Sequence, residues 1–400
     1  MISIYTLTSP LHDKKAVEAA TAEFLWSLGI DYSLKGEDYS DYGSSDLDLI
    51  YVRTGGTEGV FKPLLPRITA ASSQPVYLLT SGVSNSLAAS LEILSYLRSN
   101  NIKGEIIHGN PRVIRNRVNA LLGVEKARRS LNGTRYGVVG APSDWLIASG
   151  ADYDAVKRKL GIELVDIPMQ ELLSEIEATA EDSLSAKIAC GEPLFDAARN
   201  VKDAAPGAYR IYAALKNIVA KYSLSGLTLR CFDLLSTVRN TGCLALSLLN
   251  SQGIVAGCEG DIPAMLSMAI SKSVTGVSGF MANPSSIDTE TGDILFAHCT
   301  IPFNMVKKYS FDTHFESGIG VGIHGHMQEG DITLFKISGD GERFFVAEGQ
   351  LLRNQYKGDL CRTQVVVNVG QTDYFLKNPI GNHHVVIPGH VKSTIEGLLA

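Results

Sequence analysis

A carboxylate between glycines is the first feature of this 400-residue sequence that could carry out chemistry. The apolar run Ile254–Cys258 is typical of a buried strand, and Glu259 follows it directly, beside Gly260. Functional side chains of α/β layers gather where strands end, and glycine allows a ligand to approach the backbone closely. A carboxylate there could hold a hard cation such as Mn²⁺ or Mg²⁺. The alternative is a structural role beside Asp261, which we expect to cap the helix that begins near Pro263.

Histidine is concentrated in the last part of the chain, where it could supply metal ligands. Seven of the nine histidines lie beyond residue 297. His383 and His384 open an apolar strand, in which neighbouring side chains face opposite ways, so only one of the two can enter a given site. His324 and His326 share a strand face, but no third ligand lies near them in the sequence, which favours a structural or surface role.

Two polar, glycine-bearing turns follow the apolar runs Leu47–Val52 and Val76–Leu79 in the first third of the chain. Exposed N–H groups and helix N-termini at such turns can bind anions or hydroxyl groups. Neither turn has the spacing of a Walker A loop or a dinucleotide fingerprint, and the chain has no G-x-S-x-G elbow. A plain strand-to-helix turn, with Ser84 or Asn85 as helix cap, is the alternative. The candidate substrate-binding residues of these turns are Arg53, Gly56, Thr57, Glu58, Ser81 and Asn85.

The elements that must position these groups fall into three regions. Apolar runs alternate with amphipathic helices over the first two regions, which predicts parallel α/β layers of the Rossmann-like kind. From about Gly276 the runs become shorter, alternating, and rich in glycine and β-branched residues, which predicts a mostly antiparallel β-domain, with a barrel as one form. We therefore predict an N-terminal α/β domain over 1–132, a middle α/β domain over 133–275 and a β-rich C-terminal domain over 276–400.

Composition and charge argue against several classes of protein. A net charge of -6 and a pI near 5.9 are not those of a nucleic-acid-binding protein. The first 15 residues lack the basic region of a signal peptide, and no run reaches the ~18 apolar residues that a membrane span needs. The six cysteines are scattered without CxxC spacing, which is typical of free thiols in a reducing compartment. We expect a cytoplasmic protein that binds neither nucleic acid nor membrane.

Four segments, in the same order along the chain, resemble the L-fucose and L-arabinose isomerase superfamily. Cys258–Asp261 resembles the segment that carries the family's first metal carboxylate, and Gly381–His384 resembles the segment of its late histidine ligand. Gly330–Leu334 and Cys361–Gln364 resemble two further segments of its C-terminal domain. The resemblance covers roughly 253–389, and it implies two α/β domains followed by a β-rich one. It also implies a Mn²⁺ cofactor, with Mg²⁺ or Co²⁺ as alternatives, and a homo-oligomer, often a hexamer, with active sites at subunit interfaces.

The same resemblance implies roles for individual residues. Glu259 would bind the metal and act as the acid and base, and His298 falls where arabinose-type enzymes have a middle histidine. His383 or His384 would be the last ligand, and the Asn-His ending before an apolar strand favours His383. Asn283 stands where the family has its second carboxylate, and its amide oxygen can bind a metal but cannot act as a base. Losing one unit charge at ~4 Å is worth on the order of 4 kcal/mol at an effective dielectric near 20, so we expect a more weakly held metal.

The sequence therefore predicts a metal-dependent aldose–ketose isomerase that acts on a monosaccharide through a metal-stabilised enediolate. Arg53 makes an acidic or sulfonated sugar one option for the substrate. Hydride transfer between C1 and C2 is the alternative to proton transfer. A non-catalytic sugar-binding protein on the same scaffold, and another enediolate enzyme such as an epimerase or a lyase, are the alternative functions.

Overall fold

The computed structural model describes residues 1–72, 74–179 and 197–399. The chain divides into two compact units, Met1–Arg129 and Ser130–Ala400. Within the described residues, no helix combines the length and the apolar character that a membrane crossing requires.

The first unit is built on a parallel sheet of five strands. Its strands are β1 (Ile2–Leu7), β2 (Ser33–Gly36), β3 (Leu47–Val52), β4 (Val76–Leu79) and β5 (Gly104–Ile107). Its helices are α1 (Lys14–Leu28), α2 (Glu58–Phe61), α3 (Leu65–Ala71), α4 (Ser86–Ser99) and α5 (Pro111–Leu131), with 3-10 turns at Lys62–Leu64 and Val83–Asn85. The strand order is β2-β1-β3-β4-β5. Strands β1, β3 and β4 are buried along their whole length because apolar clusters cover both faces of the sheet.

The second unit begins with a parallel sheet of four strands, in the order β7-β6-β8-β9. These strands are β6 (Arg135–Val139), β7 (Glu163–Ile167), β8 (Gly226–Leu229) and β9 (Val255–Gly257). The helices around them are α6 (Tyr153–Leu160), α7 (Met169–Ala178), α8 (Arg199–Tyr222), α9 (Asp233–Thr237), α10 (Cys243–Ser251) and α11 (Ile262–Thr275). Cys231 lies two residues beyond the carboxyl end of β8, and Glu259 lies two residues beyond that of β9.

A closed antiparallel barrel completes the second unit. Its strands are β10 (Phe280–Ile287), β11 (Asp293–His298), β14 (Gly330–Ile337), β15 (Phe344–Gln355), β16 (Thr363–Asn368) and β17 (His384–Pro388), and their order is β10-β11-β16-β15-β14-β17. A two-stranded ladder of β12 (Val306–Asp312) and β13 (Gly322–Met327), a 3-10 turn at Phe303–Met305, and helices α12 (Thr372–Lys377) and α13 (Lys392–Leu399) accompany the barrel. Side chains such as Phe280, Phe296 and Val386 form one apolar core with Tyr209 and Leu244 of α8 and α10.

The predicted fold class is confirmed at the level of sheet type, because two parallel α/β sheets precede an antiparallel β region that closes into a barrel. The sequence pattern missed β2, which has only four residues and no continuous apolar run, and β10, whose second half contains Pro284 and two serines. It also missed β11 and β12. The division into domains at residues 132 and 275 stays a prediction. Five of the predicted free cysteines are free in the structure, and Cys190 lies outside the described residues.

Candidate metal centre

Three buried side chains meet where the parallel sheet of the second unit faces the barrel. Glu259, His298 and His383 each offer one ligand atom, and these atoms lie within 4.8 Å of one another. Glu259 follows β9, His298 ends β11, and His383 directly precedes β17. A carboxylate and two imidazoles suit first-row divalent cations. The cluster could therefore hold a metal ion.

Strand order in the barrel explains why residues so distant in sequence come together. Strand β10 pairs with β11 on one side and with β17 on the other. Asn283 of β10 pairs with Ala297, the neighbour of His298, while Ala282 pairs with His384, the neighbour of His383. The two histidines therefore flank Asn283 from adjacent strands, and Asn283 lines the same pocket as Glu259 and His298.

Two unpartnered atoms show that these residues fit a cation. Nε2 of His383 and Oδ1 of Asn283 are buried, and neither has a hydrogen-bond partner among the described residues. The nearest oxygen to Nε2 of His383 within the cluster is Oε1 of Glu259, at 3.4 Å, and that oxygen lies 3.8 Å from Nε2 of His298. A buried polar atom left without a partner costs roughly 1–3 kcal/mol. A cation between these atoms would remove that cost.

Asp261 and Lys336 fix the orientation of the His383 ring. Oδ2 of Asp261 lies 3.0 Å from Nδ1 of His383, and the ammonium of Lys336 lies 3.3 and 3.4 Å from the two Asp261 oxygens. A carboxylate beside Nδ1 keeps a proton on that nitrogen, so Nε2 is the atom that could bind a metal once it has lost its own proton. Asp261 also accepts from the N–H of Ala264 at 2.8 Å, so its predicted role as helix cap is confirmed.

The charges of the cluster change the acid–base properties of its members. Burial raises the pKa of Glu259, but His298 and His383 outweigh it and hold that pKa well below its ordinary range. Burial also raises the pKa of Asp261, which Lys336 and His383 lower further than burial raises it. Burial lowers the pKa of His383, whereas the adjacent Asp261 and Glu259 raise it, with a net rise to about 9. Without a metal, His383 is therefore a cation at neutral pH.

The backbone of Glu259 is held in an uncommon conformation by the loop that follows β6. Its φ is +59°, in the left-handed region that few residues other than glycine adopt, and its carbonyl accepts from the N–H of Ser143 at 2.9 Å. Gly260 has φ +70°, and a side chain there would collide with the main chain of Ala141. Nε1 of Trp145 donates to Oε2 of Glu259 at 2.8 Å, which leaves Oε1 toward the two histidines.

A pocket adjoins the cluster. Besides Glu259, Asn283 and His298, its walls include Phe232, Thr241, His314 and Glu316. Phe232, Glu316 and Trp145 were not predicted from the sequence. A signal was present for Glu316, since an acidic residue and a histidine share the glycine-bearing segment between β12 and β13.

The structure keeps His384 out of the cluster, although the sequence analysis named it beside His383 as a metal ligand. Its Nε2 lies 3.0 Å from the hydroxyl of Tyr374, and its Nδ1 lies 2.9 Å from the carbonyl of Asn382. Its ring packs against Phe296 and Phe375. Burial lowers the pKa of His384 to about 3, which is expected of a neutral core histidine. Strand alternation sends the two neighbours to opposite sides, so His384 belongs to the packed core.

The two polar turns of the first unit lie next to each other at the carboxyl edge of its sheet. The N–H of Gly55 donates to the carbonyl of Ser84 at 2.7 Å. The guanidinium of Arg53 donates to Thr8 at 2.7 Å and pairs with Glu37 at 3.2 Å. Ligands of open parallel sheets bind where the strand order reverses, which is between β1 and β3 here. Ligand contact stays a prediction for Arg53, Gly56, Thr57, Glu58, Ser81 and Asn85.

Comparison with characterised proteins finds relatives of one kind. The chain is 23% identical over 304 residues to a sulfoquinovose isomerase of Priestia aryabhattai, covering 73% of this chain and 68% of that protein. It is 23% identical over 305 residues to a sulfoquinovose isomerase of Clostridium sp. (strain MSTE9), covering 70% and 66%. A third, from Alkalicoccus urumqiensis, is 22% identical over 279 residues, covering 67% and 63%. No family model matches the chain.

These relatives support a sugar isomerase. The prediction that the chain is an isomerase enzyme is thereby confirmed. The buried cluster could hold a metal ion, which agrees with the prediction that the cofactor is a metal. The identity of that metal stays a prediction.

Proposed function

We propose that this chain is a metal-dependent aldose–ketose isomerase whose divalent cation is held by Glu259, His298 and His383, with the amide oxygen of Asn283 as a further ligand. The observation that supports this most directly is the pair of buried, unpartnered atoms on His383 and Asn283 beside the Glu259 carboxylate. Mixed imidazole and oxygen ligands suit Mn²⁺, with Co²⁺ and Mg²⁺ as the cations to compare. The homo-oligomer implied by the family resemblance is part of the proposal, and light scattering on the purified protein tests it.

Glu259 is the proposed acid and base. When bound, a divalent cation would stabilise the negative charge that develops on two adjacent sugar oxygens. Glu259 is ionised at neutral pH, and its carboxylate would accept a proton from C2 and return it to C1. Trp145 holds its Oε2 in place, so the carboxylate keeps one orientation during the transfer. A positioned base usually contributes ~10²–10⁴-fold to the rate.

Glu316 is the second carboxylate of the pocket, and we propose that it moves protons on the sugar oxygens. Asn283 cannot do this because an amide does not accept a proton at neutral pH. The exposed Glu316 reaches the same cavity as Glu259 and His298 from the segment between β12 and β13. Phe232, whose ring packs edge-on against Trp145 at 4.8 Å, offers an apolar wall for the C–H face of a sugar.

Sulfoquinovose, the sugar in the names of the relatives, is the first substrate to test, followed by neutral aldoses of the same length. Among the described residues, the lining of the pocket includes no lysine or arginine. A sulfonate would therefore have to be bound by groups beyond this lining. Relative turnover of the sulfonated and the neutral sugar decides between these substrate classes.

The test of the proposed function combines metal analysis with a substrate panel and one isosteric variant. We expect about one bound divalent cation per chain and turnover of at least one aldose, with deuterium from solvent appearing at C1 or C2. Glu259→Gln should lower turnover by about 10²-fold or more. Glu290→Gln, which removes an exposed carboxylate from the turn between β10 and β11, is the matched control.

Three results would contradict the proposal. Sugar binding without turnover, unchanged by Glu259→Gln, would favour the non-catalytic alternative. Epimerised or cleaved products would favour another enediolate enzyme. Isomerisation without any solvent deuterium in the product would contradict Glu259 as a carbon base and support hydride transfer.

A further inference from the structure

Cysteine is concentrated at the candidate site. Five of the six cysteines line the pocket beside the metal cluster, and the sixth lies outside the described residues. The five are Cys231, Cys243, Cys258, Cys299 and Cys361. The sulfur atoms of Cys231 and Cys258 are 3.0 Å apart, closer than the ~3.5–4.0 Å at which non-bonded heavy atoms usually rest. These two thiols are in direct contact, with their sulfur atoms about 1 Å farther apart than in a disulfide.

The backbone fixes this pair at the edge of the metal cluster. Cys231 lies two residues beyond β8, and Cys258 directly follows β9, its parallel neighbour in the sheet. Both are mostly buried, with 7% and 3% of their surfaces exposed, so the pocket is the route by which a small reagent reaches them. Cys258 is bonded directly to Glu259, the carboxylate of the cluster. A displacement of the Cys258 main chain would therefore shift Glu259.

We propose that Cys231 and Cys258 form a reversible disulfide in the presence of a peroxide, and that this disulfide releases the metal from Glu259. In the first step the sulfur of the more exposed Cys231 attacks one oxygen of hydrogen peroxide and the O–O bond breaks. The products are a sulfenic acid and one water. The Cys258 sulfur then attacks the sulfenic sulfur, the S–S bond forms and the S–O bond breaks, and a second water leaves with the thiol proton. Both sulfur atoms are oxidised by one electron each, and the peroxide is reduced to two water molecules.

The geometry explains why such a bond would alter the metal site. A disulfide has a length of ~2.05 Å, so the two sulfur atoms must approach each other by about 1 Å. Glu259 is held in a left-handed conformation by its hydrogen bond from Ser143, and we expect the tightening of the neighbouring Cys258 to shift its carboxylate. A misplacement of 1 Å can lower catalysis about 10²-fold. The effect on turnover rests on the proposed function, whereas the formation of the disulfide does not.

The test is peroxide treatment of the intact protein followed by peptide mapping without reduction. We expect a linkage between the tryptic peptide that begins at Cys231 and the one that contains Cys258. Cys243 lies in the same tryptic peptide as Cys258, so fragment spectra must distinguish the two. The oxidised protein should retain less metal and lose turnover about 10²-fold, and a dithiol reductant should restore both.

Two cysteine variants separate this pair from the other thiols. Cys231→Ser should resist peroxide, measured against its own untreated activity, because the partner of Cys258 is absent. Cys361→Ser, which removes another thiol of the same pocket, should remain as sensitive as the wild type. A linkage that joins Cys299 to another cysteine, or no linkage at all, would overturn the proposal. A disulfide between Cys231 and Cys258 without turnover of any sugar before treatment would leave the disulfide standing and overturn the proposed function instead.

Discussion

Nδ1 of His383 lies 3.0 Å from Oδ2 of Asp261, and both side chains are completely buried. This contact joins the start of α11 to the start of β17, two elements more than 100 residues apart in sequence. It determines which nitrogen of His383 carries the ring proton and therefore which one can bind a metal. The neighbouring Lys336 balances the charge of Asp261, so the carboxylate is tolerated in the interior.

Replacement of Asp261 tests this orienting role. Asp261→Asn should weaken metal binding by 10–100-fold, because the ring of His383 loses its carboxylate partner. Since Lys336 would keep an unbalanced charge, the double variant with Lys336→Met protects the fold. Asp152→Asn is the matched control, because Asp152 also caps a helix, by accepting from Ala155 at 2.9 Å. Isothermal titration with Mn²⁺ measures the change, and an affinity equal to that of the wild type would contradict the orienting role.

The adjacent histidines provide a comparison between a ligand and a core residue. His383→Gln should remove most of the bound metal and the turnover. His384→Gln should keep the metal and lower the free energy of unfolding by about 1–2 kcal/mol, because the hydrogen bond with Tyr374 is weakened. Metal content per chain and urea unfolding of both variants measure these effects. Loss of metal from the His384 variant alone would reverse the assignment.

Asn283 stands where the family that the sequence resembles has a second carboxylate, and replacing it by aspartate tests what that carboxylate would add to metal binding. Asn283→Asp adds a negative charge of nearly the same shape beside the cluster and should tighten metal binding by tenfold or more. The full Coulomb gain, on the order of 4 kcal/mol at ~4 Å and an effective dielectric near 20, is an upper bound because the added charge is desolvated. Asn110→Asp, which adds the same charge at an exposed helix start, is the control. Unchanged affinity in a competition titration would show that residue 283 does not face the metal.

Metal binding should depend on pH because the metal competes with a proton on His383. In the metal-free protein the pKa of His383 is raised from 6.5 to about 9 by Asp261 and Glu259, against the effect of burial. The protonated form therefore stabilises the metal-free fold fully below about pH 6.5, and this contribution is lost as the pH rises through about 9. Apparent metal affinity should rise up to tenfold per pH unit over that interval and level off above it. Titration calorimetry in two buffers should detect about one proton released per metal at neutral pH, and affinity that is independent of pH would contradict the competition.

The fold class and part of the cluster were predictable from the sequence because they follow from local patterns. Apolar runs predict β1 and β3. Glu259 could be selected as a candidate ligand because it directly follows the apolar run Ile254–Cys258. Because side chains alternate along a strand, only one of His383 and His384 can be a ligand. The sequence does not show which of the two, since it does not show which side of β17 faces the cluster.

The remaining contacts of the site join residues that are far apart in the sequence, so no local sequence pattern predicts them. The contact of Trp145 with Glu259 spans 114 residues, and Lys336 reaches Asp261 across 75. The pairing of Cys231 with Cys258 depends on the order of β8 and β9 in the sheet, which short apolar runs do not determine.

The closure of the barrel has a consequence for the way the proposed metal ion would bind. Strand β17 is hydrogen-bonded to β10 on one side and to β14 on the other, so it has no free edge along which to slide. A slip of one residue would exchange His383 for His384 and would have to break both ladders at once. The imidazole of His383 is thus held in place without an ion, and a cation bound there would have to shed water and displace a proton.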